Sequence, residues 1–111
     1  MSEPYSARSY RFHPGAAKEL AQAIKRLKTE NLKAAEAFEK KISEALELLL
    51  IHPGIGRVII ESRGRRIRGK PLTGPFRFTI VYADLPERIF ILAVAHQRRR
   101  PGYWRSRLRG L

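Results

Sequence analysis

The sequence predicts an α+β domain in which a helical hairpin packs on one face of a mostly antiparallel four-stranded sheet. Apolar residues recur at helical spacing from Pro14 to about Lys28 and again from Asn31 to about Ile51. The break between these segments is short, so the two helices should run antiparallel. Beyond Gly54, apolar and polar residues alternate, which is typical of strands. Because the apolar faces of the helices need a cover, we expect the sheet to supply it.

The predicted element order is strand, helix, helix and three strands (β-α-α-β-β-β), with a short helical turn near the C-terminus at Tyr103 to Leu108. Basic residues dominate Arg63 to Arg68, so this stretch is expected to connect two strands, with a turn or bulge at Gly64. The predicted strands are Tyr5 to Phe12, Arg57 to Glu61, Phe76 to Tyr82 and Ile89 to His96.

The last predicted strand is the strongest feature of the chain. Every residue from Ile89 to Ala95 is uncharged and apolar, so the strand should be buried on both faces. His96 follows on the parity of Phe90, Leu92 and Val94. Three arginines (Arg98, Arg99, Arg100), a Pro-Gly turn and the pair Tyr103-Trp104 come next. A rigid strand therefore delivers a histidine and a guanidinium cluster to one edge of the fold.

Length and composition limit the class of protein. The 111 residues suffice for one domain, spanning 1–111, and contain no cysteine, which excludes disulfides and thiolate chemistry. The sequence has neither an apolar run of the roughly 20 residues that a membrane span needs nor an apolar signal region at its start. It also lacks a phosphate-binding glycine loop and a cluster of acidic metal ligands. We expect a soluble, cytoplasmic protein with no metal and no cofactor.

Positive charge is concentrated in the second half of the chain. Residues 1–56 carry nine Lys/Arg and seven Asp/Glu, a balance of +2, whereas residues 57–111 carry fourteen and three, a balance of +11. Most of these cations are arginines, whose forked guanidinium groups pair with phosphates and carboxylates. The expected partner is a polyanion, either nucleic acid or an acidic protein segment. The alternative is a charge that serves solubility alone.

His96 and nearby arginines are the candidate catalytic residues. Neighbouring cations would keep the imidazole of His96 neutral, which suits a general base, but a histidine at a strand end equally often bonds a backbone group. Arg77 interrupts an apolar strand, so its side chain should face the open side of the sheet. Together with Arg98, Arg99 and Arg100 it is a candidate for holding phosphate, with solvated charge as the alternative.

Two aromatic residues complete the candidate site. Tyr103 and Trp104 follow the arginines, and exposed rings beside arginines stack on bases in RNA-binding proteins. They would equally serve to pack the tail onto the core, which is the favoured interpretation for Trp104. With so few carboxylates in this half, a two-metal nuclease site is not expected. If the protein cuts RNA, the 2′-OH of the substrate should attack with side-chain acid and base.

Four segments resemble the RelE/ParE superfamily of toxins from type II toxin–antitoxin systems, including the ParE-like plasmid-stabilisation proteins. These segments are FHPGAAKEL at the first helix, EALELLLIHPGIG at the end of the second, PFRFTIVY in the third strand and ILAVAHQRRRPGYW in the last. The likeness covers nearly the whole chain. It implies a small basic toxin with this element order, bound and neutralised by a cognate antitoxin in a hetero-oligomer.

The resemblance implies two alternative activities. ParE-type members poison DNA gyrase, whereas RelE-type members are mRNA interferases that cut ribosome-bound mRNA without a metal. The RelE pattern has basic residues at positions that match Arg68, Lys70 and Arg77, and a tyrosine that matches Tyr103. Where that pattern has an arginine just after the last strand, this chain has Gln97, with Arg98 and Arg99 beside it.

We therefore expect a growth-inhibiting toxin that is neutralised by an antitoxin and acts as a ParE-like inhibitor of DNA gyrase. The alternative is a RelE-like, metal-independent endoribonuclease, with His96, Arg77 and Tyr103 as its catalytic residues. In either case Arg68, Lys70, Arg98, Arg99, Arg100 and Trp104 are the expected contacts to nucleic acid or target. A third hypothesis is a nucleic-acid-binding module without toxicity.

Overall fold

The computed structural model describes residues 9–111, and it confirms the α+β class with a fifth strand. Two helices, α1 (Pro14–Glu30) and α2 (Leu32–Ile51), follow the first strand. The chain ends in a short 3-10 helix, Arg105–Gly110, which is the predicted C-terminal turn. The strands are β1 (Ser9–Phe12), β2 (Arg57–Ser62), β3 (Arg65–Pro71), β4 (Phe78–Asp84) and β5 (Arg88–His96). Of the predicted first strand, residues 5–8 lie outside the described part.

The helices begin where local side chains satisfy their first backbone N–H groups. The His13 ring accepts a hydrogen bond from the Gly15 N–H at 2.9 Å, with Pro14 in the first turn. Asn31 ends α1 and caps α2, because its side chain accepts a hydrogen bond from the Ala34 N–H at 3.1 Å. Within residues 9–111, neither helix is long and apolar enough to cross a bilayer.

The sheet has the order β1-β5-β4-β3-β2, in which β1 is parallel to β5 and the other pairs are antiparallel. The helical hairpin covers one face, where Phe38, Leu49 and Tyr82 are completely buried. The C-terminal segment, residues 103–111, covers the other face, where Trp104 packs with Ile67 and Leu92. Strands β4 and β5 are therefore covered on both faces, whereas the edge strand β2 keeps Val58 and Ile59 exposed. The sheet face that Arg77 was expected to share with a partner is covered by the C-terminal segment.

The strand that the sequence did not predict is β3. Among its seven residues, Ile67 is the one apolar residue whose side chain is buried, so the sequence shows no alternation of apolar and polar residues. Hydrogen bonding to β2 and β4 on both sides forms the strand instead. Gly69 is buried, and a glycine suits this position because Ile59 and Thr79 occupy the space that a side chain would fill. An added Cβ would lie 2.9 Å from Ile59 Cδ1.

A β-bulge in β5 reverses the predicted parity of His96. Val81 pairs with Ala93 and Tyr82 with Ile91, so Leu92 has no partner of its own on β4. Beyond the bulge, Val94 joins Ile91 in the core beneath the helices. His96 consequently shares a face with Ile91 and Val94, not with Phe90 and Leu92 as predicted. Its side chain lies on the helical side of the sheet.

Candidate functional site

His96 contacts both β4 and the turn that comes directly after β5. Its ring lies perpendicular to Phe78 with the ring centroids 4.9 Å apart, and Phe78 in turn packs against Phe38 of α2. Nδ1 accepts a hydrogen bond from the backbone N–H of Arg98 at 3.0 Å. In the neutral ring Nε2 then carries the proton, so the available nitrogen is a donor. These contacts are those of a structural histidine, and its role as a general base stays a prediction.

Arg77 lies outside the strand in which the sequence placed it. β4 begins at Phe78, and Arg77 has a left-handed backbone with φ of 55°. Its carbonyl accepts a hydrogen bond from the Gln97 N–H at 2.9 Å, which joins the start of β4 to the end of β5. The side chain is exposed at this end of the sheet. The predicted strand-borne arginine on an open face is therefore wrong, because the chain turns before Phe78.

Tyr103 and Arg107 converge on a carboxylate that sequence reasoning did not identify, Glu19. The Tyr103 hydroxyl donates to Glu19 Oε2 at 2.7 Å. Arg107 donates to both carboxylate oxygens, Nη1 to Oε1 at 3.1 Å and Nη2 to Oε2 at 2.9 Å. The backbone N–H of Val94 donates to Oε1 at 3.0 Å. We call Glu19, Tyr103, Arg107 and the Val94 N–H the Glu19 cluster.

The Glu19 cluster completes the hydrogen bonding of β5 at the point where β1 ends. The last backbone bond on this side runs from the His13 N–H to the Ile91 carbonyl. After that, Arg107 Nη1 donates to the Leu92 carbonyl at 2.8 Å and Glu19 accepts from Val94. Buried backbone groups need such partners, and a bare strand edge would also invite pairing with another chain. The ion pair therefore protects the edge and attaches the C-terminal segment.

The pKa values in the cluster follow from these contacts. Burial raises the pKa of Glu19, but hydrogen bonds from Arg107, Tyr103 and Val94 outweigh it, and the net pKa lies below its usual value of 4.5. Burial, the hydrogen bond to Glu19 and the charge of Glu19 raise the pKa of Tyr103 to about 12. A phenol with this pKa, already donating to a carboxylate, is a poor general acid at neutral pH.

A groove of about 390 Å³ lies beside this cluster, between α1 and the ends of β4 and β5. His96 and Arg99 line it, but Arg77 and Tyr103 do not. The three predicted catalytic residues are therefore not brought together around one cavity. The described lining residues are Glu19, Gln22, Ala23, Arg26, Leu27, Glu30, Pro75, Phe76, Phe78, Val94, His96 and Arg99.

The predicted binding arginines differ in what they contact. Arg99 lies with its guanidinium carbon 3.8 Å from the centre of the Tyr103 ring, on the outer side of the Glu19 cluster. Arg98 and Arg100 are exposed at the same end of the sheet. In the part of the chain that the structure describes, no three histidine, aspartate or glutamate side chains come together in a way that could hold a metal ion.

The other three predicted binding residues contact the protein itself. Arg68 donates to the carbonyls of Gly54 and Gly56, at 3.1 and 2.8 Å, and so holds the loop after α2. Lys70 donates to the Pro71 carbonyl at 3.3 Å. Trp104 is only 4 % exposed, as the packing alternative predicted, so its ring is not free to stack on a base.

Residues 10–101 match the family model of the ParE toxin of the type II toxin–antitoxin system parDE. The chain belongs to the ParE toxin family. The fold agrees: a chain from the chromosomal ParDE toxin–antitoxin system of P. aeruginosa matches with a TM-score of 0.64 at 20% identity, covering 81% of this chain and 96% of that one. A search of curated proteins gave no match.

The match to the ParE family stops short of the C-terminal segment. It ends at residue 101, whereas Tyr103, Trp104 and Arg107 follow it. The Glu19 cluster thus joins one carboxylate inside the matched stretch to two side chains beyond it. Glu19 did give a signal in the sequence, because it lies one helical turn from Ala16 and Ala23 on the inward side of α1, where a carboxylate is unexpected.

Proposed function

We propose that this chain is a growth-inhibiting toxin that acts on DNA gyrase and that a cognate antitoxin neutralises it. The observation that carries the proposal is the match to the ParE toxin family over residues 10–101. A second observation supports it over RNA cleavage. Tyr103 donates to Glu19, and His96 accepts from the Arg98 N–H, so two of the three expected catalytic groups are engaged within the protein.

The alternative activity, metal-independent cleavage of ribosome-bound mRNA, has one observation in its favour. His96 and Arg99 both line the groove of about 390 Å³, together with Arg26. A histidine and two cations beside a cavity suit a phosphodiester. A nuclease would need Arg77 and Tyr103 to move toward this groove. The gyrase proposal requires no such movement, because a poison acts through the shape and charge of its surface.

The test is induction of the chain alone in a bacterium, followed by mapping of RNA 5′ ends and of gyrase-linked DNA breaks. The expected result is DNA breaks with intact mRNA, reproduced by purified gyrase and the purified chain on supercoiled plasmid. New 5′ ends inside translated codons with intact DNA would assign the chain to the nuclease alternative. Normal growth without either lesion would favour a nucleic-acid-binding module.

The antitoxin is expected to bind the basic half of the chain, residues 57–111. That half carries +11 of the net charge, and an acidic segment would be attracted to it. Hydrogen exchange of the toxin with and without its antitoxin tests this expectation, with protection predicted in β3, β5 and the C-terminal segment. Protection confined to the outer face of the helical hairpin would be contrary to it.

A further inference from the structure

The turn between β2 and β3 contains an arginine in a conformation that arginine rarely adopts. Ser62 pairs with Arg65, so the loop has two residues, Arg63 and Gly64. Their φ values are 52° and 78°, the pair of left-handed residues found in type I′ hairpin turns. The first position of such a turn usually holds Asn, Asp or Gly. Arg63 is exposed there, so folding alone does not account for the choice of residue.

The residues beside this turn are also cationic. The segment from Arg57 to Pro71 has six cations and one carboxylate, a balance of +5. We call Arg63, Arg65 and Arg66 the basic hairpin tip. They line a depression of about 550 Å³, to which Arg68, Glu61 and Asp84 also contribute. Arg66 lies 3.6 Å from Glu61, but both side chains are more than 60 % exposed, so this pair is weak and leaves the guanidinium accessible.

The basic hairpin tip is remote from the groove and from the Glu19 cluster. Ile67 pairs with Ala83 and Pro71 with Thr79, so β3 runs from the tip toward the end of the sheet at which Phe78 meets His96. At about 3.3 Å per residue, the tip and His96 are roughly 25 Å apart along the strands. Within residues 9–111, two separate arginine clusters therefore lie at opposite ends of one sheet.

We propose that the basic hairpin tip binds the phosphate backbone of duplex DNA directly. Arginine forks match phosphate oxygens, and a two-stranded β-ribbon fits the major groove of B-form DNA. The segment from Arg57 to Pro71 contains no aromatic residue, whereas recognition of single strands relies on aromatic stacking. The major groove of duplex RNA is too narrow for side chains to read. The composition and shape of the hairpin thus favour duplex DNA.

The test is a salt titration of binding between the purified chain and a short mixed-sequence DNA duplex, followed by fluorescence anisotropy. Three substitutions, R63A/R65A/R66A, should reduce the slope of log K against log salt by about 2.7, since each phosphate contact contributes about 0.9. Between 50 and 200 mM salt the unmodified chain should then lose about 40-fold more affinity than the variant. Binding requires no gyrase, so the result does not depend on the proposed target.

A matched control removes the same charge elsewhere. K18A/K25A/K28A takes three exposed lysines from α1 and should leave the slope unchanged. The single change Arg63→Asn suits the turn and should lower the slope by about 0.9, which keeps the test valid if the triple variant does not fold. Equal slopes for both triple variants, tighter binding of single-stranded RNA, or displacement by a polyglutamate peptide as effective as unlabelled duplex would each overturn the proposal.

Discussion

The two ends of the sheet show how one residue type serves two purposes. Near the end of the sheet where β5 finishes, which we call the β5 end, the side chain of Arg107 is only 17 % exposed and pairs with that of Glu19, which is 12 % exposed. At the other end, Arg63 is exposed on a two-residue turn and Arg66 is exposed in the adjoining strand β3. The buried arginine, Arg107, attaches the C-terminal segment to the fold. The exposed arginines make no evident contribution to the core, so their charge is available to a partner.

Removing the Glu19 carboxylate should have the largest effect on stability. Glu19→Ala leaves Arg107 largely buried without a counter-charge, and the Tyr103 hydroxyl and Val94 N–H without an acceptor. Loss of one partner of such a pair costs about 3 kcal/mol. Urea unfolding at neutral pH measures the change. Glu47→Ala, at an exposed position of α2, should stay within about 0.5 kcal/mol. A cost below about 1 kcal/mol for Glu19→Ala would mean that the cluster does not stabilise the fold.

The same cluster should make stability depend on pH in two windows. The folded-state pKa of Glu19 is lowered, so below pH 4.5 the unfolded chain takes up protons first and the stabilisation is lost as pH falls. The folded-state pKa of Tyr103 is raised to about 12, so stabilisation is lost between pH 10 and 12, where the unfolded phenol ionises first. Glu19→Gln should remove the acidic contribution and reduce the alkaline one. Unfolding free energies across both windows, compared with Glu47→Gln, test this; identical profiles for the two variants would contradict it.

The sequence predicted those parts of the fold that apolar periodicity specifies. The helical hairpin and β5 are long and strongly patterned, and they lie where expected. Strand β3 was missed because its only apolar side chain with a buried position is Ile67, and pairing on both sides forms the strand. His96 was placed on the wrong face because one extra residue at Leu92 reverses the alternation.

The site was less predictable than the fold because it depends on contacts between distant residues. Glu19 and Arg107 are 88 residues apart, and no local pattern joins them. Arg77 was assigned to a strand by alternation alone, but its left-handed backbone places it before the strand. The packing of Trp104 was predicted, since a lone tryptophan near a buried strand usually belongs to the core. Charge alone did not distinguish a paired arginine from a free one.

The smallest expected effect on the free energy of unfolding is a gain, and it comes from a substitution at the basic hairpin tip. Arg63→Asn places a residue that tolerates left-handed backbone at the first turn position, so the free energy of unfolding should rise by about 0.5–1 kcal/mol. Arg66→Asn is the control, because position 66 lies in β3 and asparagine is disfavoured in strands, so no gain is expected. Urea unfolding distinguishes the two variants.

The two ends of the sheet differ most clearly in the sign of the stability change that follows substitution, which is a loss at the Glu19 cluster and a gain at the basic hairpin tip. At the β5 end a charged side chain lowers the free energy of the folded state, because its partner is buried with it. At the tip the charged side chain raises that free energy, because it occupies a backbone conformation that suits another residue. A loss of stability in Arg63→Asn would mean that Arg63 makes a stabilising contact and that both ends serve the fold. A gain accompanied by weaker DNA binding would mean that the chain retains a strained residue for its partner.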